Sequence, residues 1–413
     1  MAEMAAMPAP LPGQAIKKEA VWTFSGAHLI NDLMTVGLVP ALLPLYKSAF
    51  HLSYTQTGLI VLFSYLMSSV MQPVFGWITD RRPRVWFLPA GVTLTCFGLA
   101  MTGIAPSFAW VIVFISLSGL GSGIFHPEAS RGTHLAAGRA KGLAQAIFQV
   151  GGNAGQALGP LLVPLFLLGT GVRGLTVFFA LGVVAFLLTW RLLPWYRARV
   201  EEERLAKRQV AGRNRIGALA VFSAAIILRS WCQIGVAGFL PFFYVHQHMA
   251  LGKAELLTFL FLGAGAVGTF VGGLLSDRLG RKRILVGSLA LAVPFAWLLP
   301  RVSGVWAAIV LFLFGFTVLG SFAVSVVYAQ MLLPRNIALA SGLNIGFSVG
   351  AGGIGATLFG HISDVWGVGV VFTLITVLPL VAALLCATLP SDARLRAEAA
   401  GTAGAAGAPS GGA

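Results

Sequence analysis

Asp32 stands about 12 residues into a long apolar stretch, with Asn31 beside it and His28 four positions earlier. In a helix, positions four apart share a face, so His28 and Asp32 present an imidazole and a carboxyl together. Such a pair can take up and release a proton, because desolvation favours the proton-bearing carboxyl and histidine titrates near neutrality unaided. The other reading is a carboxyl hydrogen-bonded only to hold helices together. Arg229 interrupts a second apolar stretch. Its guanidinium stays charged, and its planar fork suits a phosphonate, phosphate or carboxylate. Two arrangements follow: an anion binds Arg229 while protons load Asp32, or the two residues form a standing ion pair whose arginine a substrate competes for.

A third constellation, GLGSGIFHPEASRG at 119–132, places His126, Glu128 and Arg131 within six positions. Pro127 should break the helix there, which puts the three at its cytoplasmic end. They read either as a gate, in which Glu128 and His126 exchange protons with the cytosol and Arg131 engages a carboxylate such as Asp80, or as a solvated helix terminus. Gln145, Gln149, Asn153 and Gln156 recur at three- and four-residue intervals; with Asn344 and Ser348 they either line a wet cavity that holds substrate or cement helix contacts. His361 and Asp364, near the external end of the eleventh span, read either as an extracellular gate or, in preference, as a wet helix end. Neither H-E-x-x-H nor a phosphate-binding G-x-x-x-x-G-K-[ST] occurs, and no nucleophile elbow presents itself, since the string GFSVG at 346–350 lies inside an apolar run. We therefore expect no catalytic residue, no metal and no cofactor, and not an enzyme.

The elements that carry these residues follow from composition. The chain is 57% hydrophobic and 10% charged, with a mean hydropathy of +0.86, beyond what a soluble domain sustains. Apolar runs long enough to cross a bilayer lie near 20–46, 52–78, 84–104, 107–128, 141–168 and 173–194, and again near 216–245, 254–276, 284–301, 304–330, 337–363 and 367–389. The expected fold is an all-α membrane protein: twelve transmembrane helices in two six-helix bundles related by a pseudo-two-fold axis. Residues 1–19 form an N-terminal tail, 20–194 the first bundle, 195–215 a charged linker, 216–390 the second bundle and 391–413 a disordered Ala/Gly-rich tail. Of the 28 Lys and Arg, 23 fall in the N-terminus, the even-to-odd loops, the linker and the C-terminal tail, which puts both termini in the cytoplasm. Clusters between spans suit lipid headgroups, not nucleic acid. The three cysteines lie far apart in apolar segments, and read as packing.

The halves repeat. FSGAHLINDLMTVGLVPALLPLY (24–46) aligns without gaps to FSAAIILRSWCQIGVAGFLPFFY (222–244), pairing Asn31 with Arg229. GWITDRRPR (76–84) and GGLLSDRLGRKR (272–283) place Asp80 and Asp277 after the second span of each half. Two such repeats around a central cavity make a transporter architecture, with substrate held near the midplane.

The doubled segment, Gly273, Asp277, Arg278, Gly280, Arg281 and Lys282 with its partner Gly76, Asp80 and Arg81, resembles the loop motif of the major facilitator superfamily. HLINDL (28–33), QPVFGWITD (72–80), FHPEASR (125–131) and GLAQAIFQVGGNAGQALGPLL (142–162) are similar to the fosmidomycin-resistance transporters, proton-coupled exporters of a phosphonate antibiotic. The resemblance implies that Asp80, Arg81, Arg131, Asp277, Arg278 and Arg281 act as conformational latches between the halves. Gly155, Gly159 and Pro160 resemble the core of the antiporter motif, which tilts the reading toward export. Function is then expected to be export of a small anionic drug such as fosmidomycin against protons by alternating access, in a bacterial inner membrane; the alternative is a proton-coupled importer or exchanger of organic anions or sugars. The expected partners are a small anion, protons and the bilayer, the expected state a monomer.

Overall fold

The protein is described by a computed structural model covering residues 16–81, 84–138, 141–205, 214–333, 337–395 and 397. Among these residues no strand occurs. In hydrocarbon each backbone group must find its partner within its own segment, so apolar runs of this length become helices. They form twelve columns: α1 (Lys18–Ala41, then Leu43–Phe50), α2 (Tyr54–Arg81), α3 (Phe87–Thr102), α4 (Phe108–Ala136), α5 (Lys141–Leu162, continuing to Thr170), α6 (Phe178–Leu205), α7 (Ile216–His246), α8 (Leu251–Leu279), α9 (Arg281–Leu298), α10 (Gly304–Leu332), α11 (Ile337–Trp366) and α12 (Val368–Thr388). Among the described residues nine helices are long and apolar enough to cross a membrane, ten when the bent pair in α1 counts as one.

Burial is inverted relative to a soluble protein. Leu165 and Val305 are 71% and 75% exposed, while Asp32 and Arg229 are 4% and 0% exposed. An apolar exterior around a polar centre is stable only when lipid wets the outside.

Within the first half α1 packs on α5 and α4, α2 on α4, and α3 on α4 and α6; in the second, α8 packs on α10, α7 on α11 and α12, and α9 on α10 and α12. The halves meet through α2 against α11 and α5 against α8, with α7 touching the end of α1. One face of the molecule holds both ends of the ordered chain: the Lys17 amide donates to Ala136 O (2.9 Å), and Asp392 accepts from the Arg281 and Lys282 amides at the start of α9. We call this the terminal face and its opposite the far face.

Several boundaries differ from the sequence reading. Pro127 does not break α4, which continues to Ala136; membrane helices tolerate proline because neighbouring segments re-satisfy the freed carbonyl. Residues 195–205, read as the start of a linker, complete α6, while 206–213 lie outside the described residues. Ser391 to Leu395 are ordered against the body, with Leu395 buried, so the C-terminal tail begins later than expected. The first span bends by 54° between Ala41 and Leu43, where Pro40 and Pro44 each remove a backbone donor.

At the far face α2 and α11 are closely engaged. A Cβ added at Gly353 would lie 2.8 Å from Leu62 Cα, one at Gly350 3.0 Å from Ser69, and one at Gly346, nearer the terminal face, 3.5 Å. The two helices thus separate toward the terminal face. At their far ends the Asp364 carboxylate accepts from the Tyr54 amide (2.8 Å), the Thr55 amide (2.7 Å) and the Thr55 hydroxyl (2.5 Å). A helix N-terminus offers unpaired amides and a positive dipole end, so a carboxylate is its natural cap. This cap comes from the opposite half: Asp364 is an inter-half clasp rather than a wet helix end.

Candidate functional site

Asp32 ends the regular part of α1; a π turn follows, Leu33–Gly37, with the Thr35 hydroxyl donating to Asn31 O. Such turns mark functional positions because they redirect side chains and loosen the backbone ladder. Here the turn faces Asp32 into a closed polar cluster. Its Oδ2 is 3.4 Å from His28 Nε2 and its Oδ1 is 3.3 Å from His126 Nε2. Asn31 Nδ2 donates to Oδ1 (3.1 Å) and Gln156 Nε2 to Oδ2 (3.3 Å). His126, one turn after Ser122 on α4, is therefore part of the core cluster and not of a gate at the helix end.

The tautomers follow from geometry. His28 Nδ1 lies 2.8 Å from Phe148 O, and His126 Nδ1 lies 2.9 Å from Ser122 O. A carbonyl oxygen only accepts, so each Nδ1 carries a hydrogen and donates. Each Nε2 then faces a carboxylate oxygen. With a bare lone pair on Nε2 that contact is repulsive; with a proton between the atoms it is a charge-assisted hydrogen bond. The cluster is thus built to hold protons on both sides of Asp32.

Surrounding contacts fix the cluster. His28 stacks on Phe148 at 4.1 Å between centroids. Asn31 also donates to Ser122 Oγ (3.0 Å) and accepts from Thr95 Oγ1 (3.1 Å). A side chain at Gly152 would collide with the His28 ring and would come within 2.9 Å of Asp32 Oδ2. The glycines of the antiporter-like segment have a packing role: Gly155 lies against Leu29 O, and Gly159 against Gly37 at the π turn, with no space for a Cβ. Pro160 lies within α5.

The second polar centre is Arg229. Its guanidinium is fully buried, donates from Nη2 to Ser348 Oγ (3.2 Å) and lies over the Phe322 ring at 4.7 Å. Nε and Nη1 have no hydrogen-bond partner among the described residues. Among the described residues no ion pair joins Arg229 to Asp32, whose carboxylate is occupied by the two histidines, so the standing-pair reading is not what the structure shows. Asn344 donates to Ser325 Oγ (3.2 Å) and leaves its Oδ1 without a partner.

A chain of amides links the centres. Gln233, one turn beyond Arg229 on α7, donates to Gln156 Oε1 (3.2 Å), and Gln156 donates on to Asp32. Asn153, Gln156, Gln233, Thr269 and Phe322 line a narrow cavity between the halves. The polar stripe of α5 therefore divides: Asn153 and Gln156 reach the cavity, whereas Gln145 is exposed and Gln149 half-buried toward the terminal face.

Other sequence-flagged residues lie elsewhere. Glu128 is buried and accepts from the Tyr196 hydroxyl (2.6 Å), inside the first half rather than at a solvated end. Arg131 is partly buried one turn further toward the terminal face. Arg281 contacts Asp392 within its own half (3.9 Å) and Arg278 is exposed; the side chains of Asp80, Arg81 and Asp277 lie outside the described residues. Trp231 donates to Ala351 O and Phe239 is core. Gln233, Ser122, Thr95 and Phe322 escaped the sequence reading. Gln233 carried a usable signal, a polar side chain one turn from Arg229 in an apolar run.

Among the described residues His28, Asp32 and His126 form the one group of three whose ligand atoms lie within 4.8 Å of one another. Two anchored imidazoles and a carboxylate are donors a transition ion accepts, although the sequence suggested no metal. The direct Asp32 contacts to both rings are those that protons bridge.

Comparison with known proteins agrees with this architecture. The Major Facilitator Superfamily matches over residues 24–252 and 217–410, and the chain belongs to that family of membrane transporters. It is 37% identical to YfnC, an uncharacterised MFS-type transporter of Bacillus subtilis, over 95% of this chain and 99% of that one. It is 34% identical to the fosmidomycin resistance protein of Escherichia coli, over 92% and 97%. In fold it is similar to a bacterial homologue of the human lysosomal transporter Spinster (TM-score 0.70, 16% identity, 91% and 97% covered) and to the xylose transporter XylE from Escherichia coli (0.69, 15%, 91% and 98%).

Proposed function

We propose that this protein exports a small organic anion, of the phosphonate class, in exchange for protons across a bacterial inner membrane. The observation that carries this reading is Arg229: a buried cation whose Nε and Nη1 find no hydrogen-bond partner among the described residues, over the Phe322 ring and one helical turn from Gln233, both of which line the cavity. A buried charge without a counter-charge is costly, and an anion supplies both the charge and the acceptors. The relative that confers fosmidomycin resistance makes that phosphonate the probe of choice.

The terminal face is cytoplasmic in this reading, from the Lys and Arg distribution. With the far face closed, the anion enters from the cytoplasm, its oxygens taking Nε and Nη1 of Arg229. Protons leave the His28–Asp32–His126 cluster toward the same side. As Asp32 changes its protons, Gln156 loses or regains its acceptor, and Gln233 passes that change to the turn of α7 that holds Arg229. The halves then rock, the anion departs outward, and protons reload the cluster. Asp32 and its histidines are the coupling site, Arg229 and Asn344 the anion site, with Asn31, Asn153 and Gln156 between them.

The test is fosmidomycin-driven proton movement in oriented proteoliposomes, with Asp32→Asn as the paired variant. Proton flux in the wild type and its loss in the variant are expected. Proton-coupled transport that survives Asp32→Asn would remove the cluster from the mechanism; absence of any fosmidomycin-dependent flux in the wild type would reject the substrate.

A further inference from the structure

Glu255 has no place in the cycle above, yet among the described residues it is a fully buried acid with both carboxyl oxygens unpartnered. It lies on α8 one turn in from the far face and is 0% exposed. The ionisable groups on the elements packed around α8 do not satisfy it: Arg229, Cys232, Tyr244 and His246 on α7, Tyr328 on α10, and Arg281, Lys282 and Arg283 on α9 form no bond or ion pair with it among the described residues. On α8 itself Lys253 is exposed and Arg278 is at the other end. A bare carboxylate in such a setting would be an uncompensated charge in a dry interior. The neutral acid is the form that this packing accommodates.

Its direction follows from the helix. Glu255 shares a face of α8 with Leu262, Ala266 and Thr269, spaced 7, 11 and 14 residues on, and these three line the cavity with Asn153, Gln156 and Gln233. Seven residues of helix put it about 10 Å from Leu262, on the far side of the cavity. One turn before it, Gly252 rests against Pro164 and Leu168 of α5 (3.2 and 3.3 Å for an added Cβ). That is the point where the two halves seal the far face. Opening there separates α8 from α5 and lets water reach Glu255.

We infer that Glu255 is a second proton-binding site, loaded and unloaded from the far side, whose protonation licenses closure. When the far face opens, the carboxylate gains a proton from hydronium, forming its O–H bond and releasing water; when it closes, the neutral acid is sealed in, and it returns the proton to far-side water only when that face opens again. Rocking in the closed direction is thereby tied to protonation of Glu255, since only the neutral acid fits the closed interface. This inference rests on the proton-coupled reading, and its test separates the two.

Glu255→Gln copies the neutral acid in shape, so it is expected to fold. Infrared difference spectra of reconstituted wild type, taken on changing the pH at the far side, are expected to show the stretch of a protonated carboxyl that shifts in D2O and is missing in Glu255→Gln. No such band, or one insensitive to far-side pH, overturns the inference whether or not fosmidomycin is carried. In transport, Glu255→Gln is expected to keep fosmidomycin counterflow while its proton-driven flux falls about tenfold or more and loses its dependence on far-side pH, with Glu255→Asp restoring part of both. A wild-type pH profile in Glu255→Gln makes the residue a packed neutral group and nothing more.

Discussion

In the proposed mechanism Asp32 and Arg229 divide the work by the chemistry of their side chains. The carboxylate lies between two imidazoles; the guanidinium meets the Ser348 hydroxyl and the Phe322 ring. Lysine at 229 would keep the charge and lose the fork, so Arg229→Lys should weaken fosmidomycin binding by about tenfold or more, read as the dissociation constant of the purified protein. Unchanged affinity would mean that the anion does not meet the guanidinium. Asp32, His28 and Arg229 were legible in the sequence because each is a polar group stranded in an apolar run, and the four-residue spacing of His28 and Asp32 sets their contact. The contact from His126 was not, because it crosses between α1 and α4 and because Pro127 argued for a helix end. Glu255 was hidden by its place near the start of a span, where an acid ordinarily meets water.

Helix pairing explains how Asp32 is held. α5 approaches α1 so closely, through Gly151, Gly155 and Gly159, that backbone touches backbone along Ser25, Leu29 and Gly37. Gly152 continues this seat at the cluster itself. Gly152→Ala should force His28 away from Asp32 and destabilise the protein by about 1–3 kcal/mol, seen as a lower melting temperature together with lost proton coupling; a variant with wild-type melting and transport would show that the seat has slack. The spans and the repeat were readable from hydropathy. The π turns, Leu33–Gly37 in α1 and Val163–Leu167 in α5, were not, since nothing in composition distinguishes a five-residue turn from the helix around it, and neither was the continuation of α6 to Leu205, because charged helix beyond the bilayer looks like linker.

For the molecule as a whole, the clasp at Asp364 holds the far face shut. Burial pushes this carboxyl up, but bonds from the Thr55 side chain and amide and from the Tyr54 amide outweigh it and hold the group below the usual carboxylate range. A depressed acid contributes fully above its ordinary range and loses its contribution as pH falls through the depressed value. The clasp should therefore persist through neutral and mildly acidic conditions and fail only in stronger acid. Asp364→Ala is expected to cost the cap about 0.5–2 kcal/mol and to lengthen spin-label distances between the far ends of α2 and α11; an unaltered distance distribution would make the clasp incidental. The seat between α1 and α5 has a consequence of another kind. The half proposed to handle protons is built where backbones touch and a single methyl has nowhere to go, whereas the groups against Arg229 are side chains, Phe322 and Ser348, that can be exchanged one at a time. On the proposed mechanism, a lineage with this architecture can change its cargo while leaving its energy source untouched.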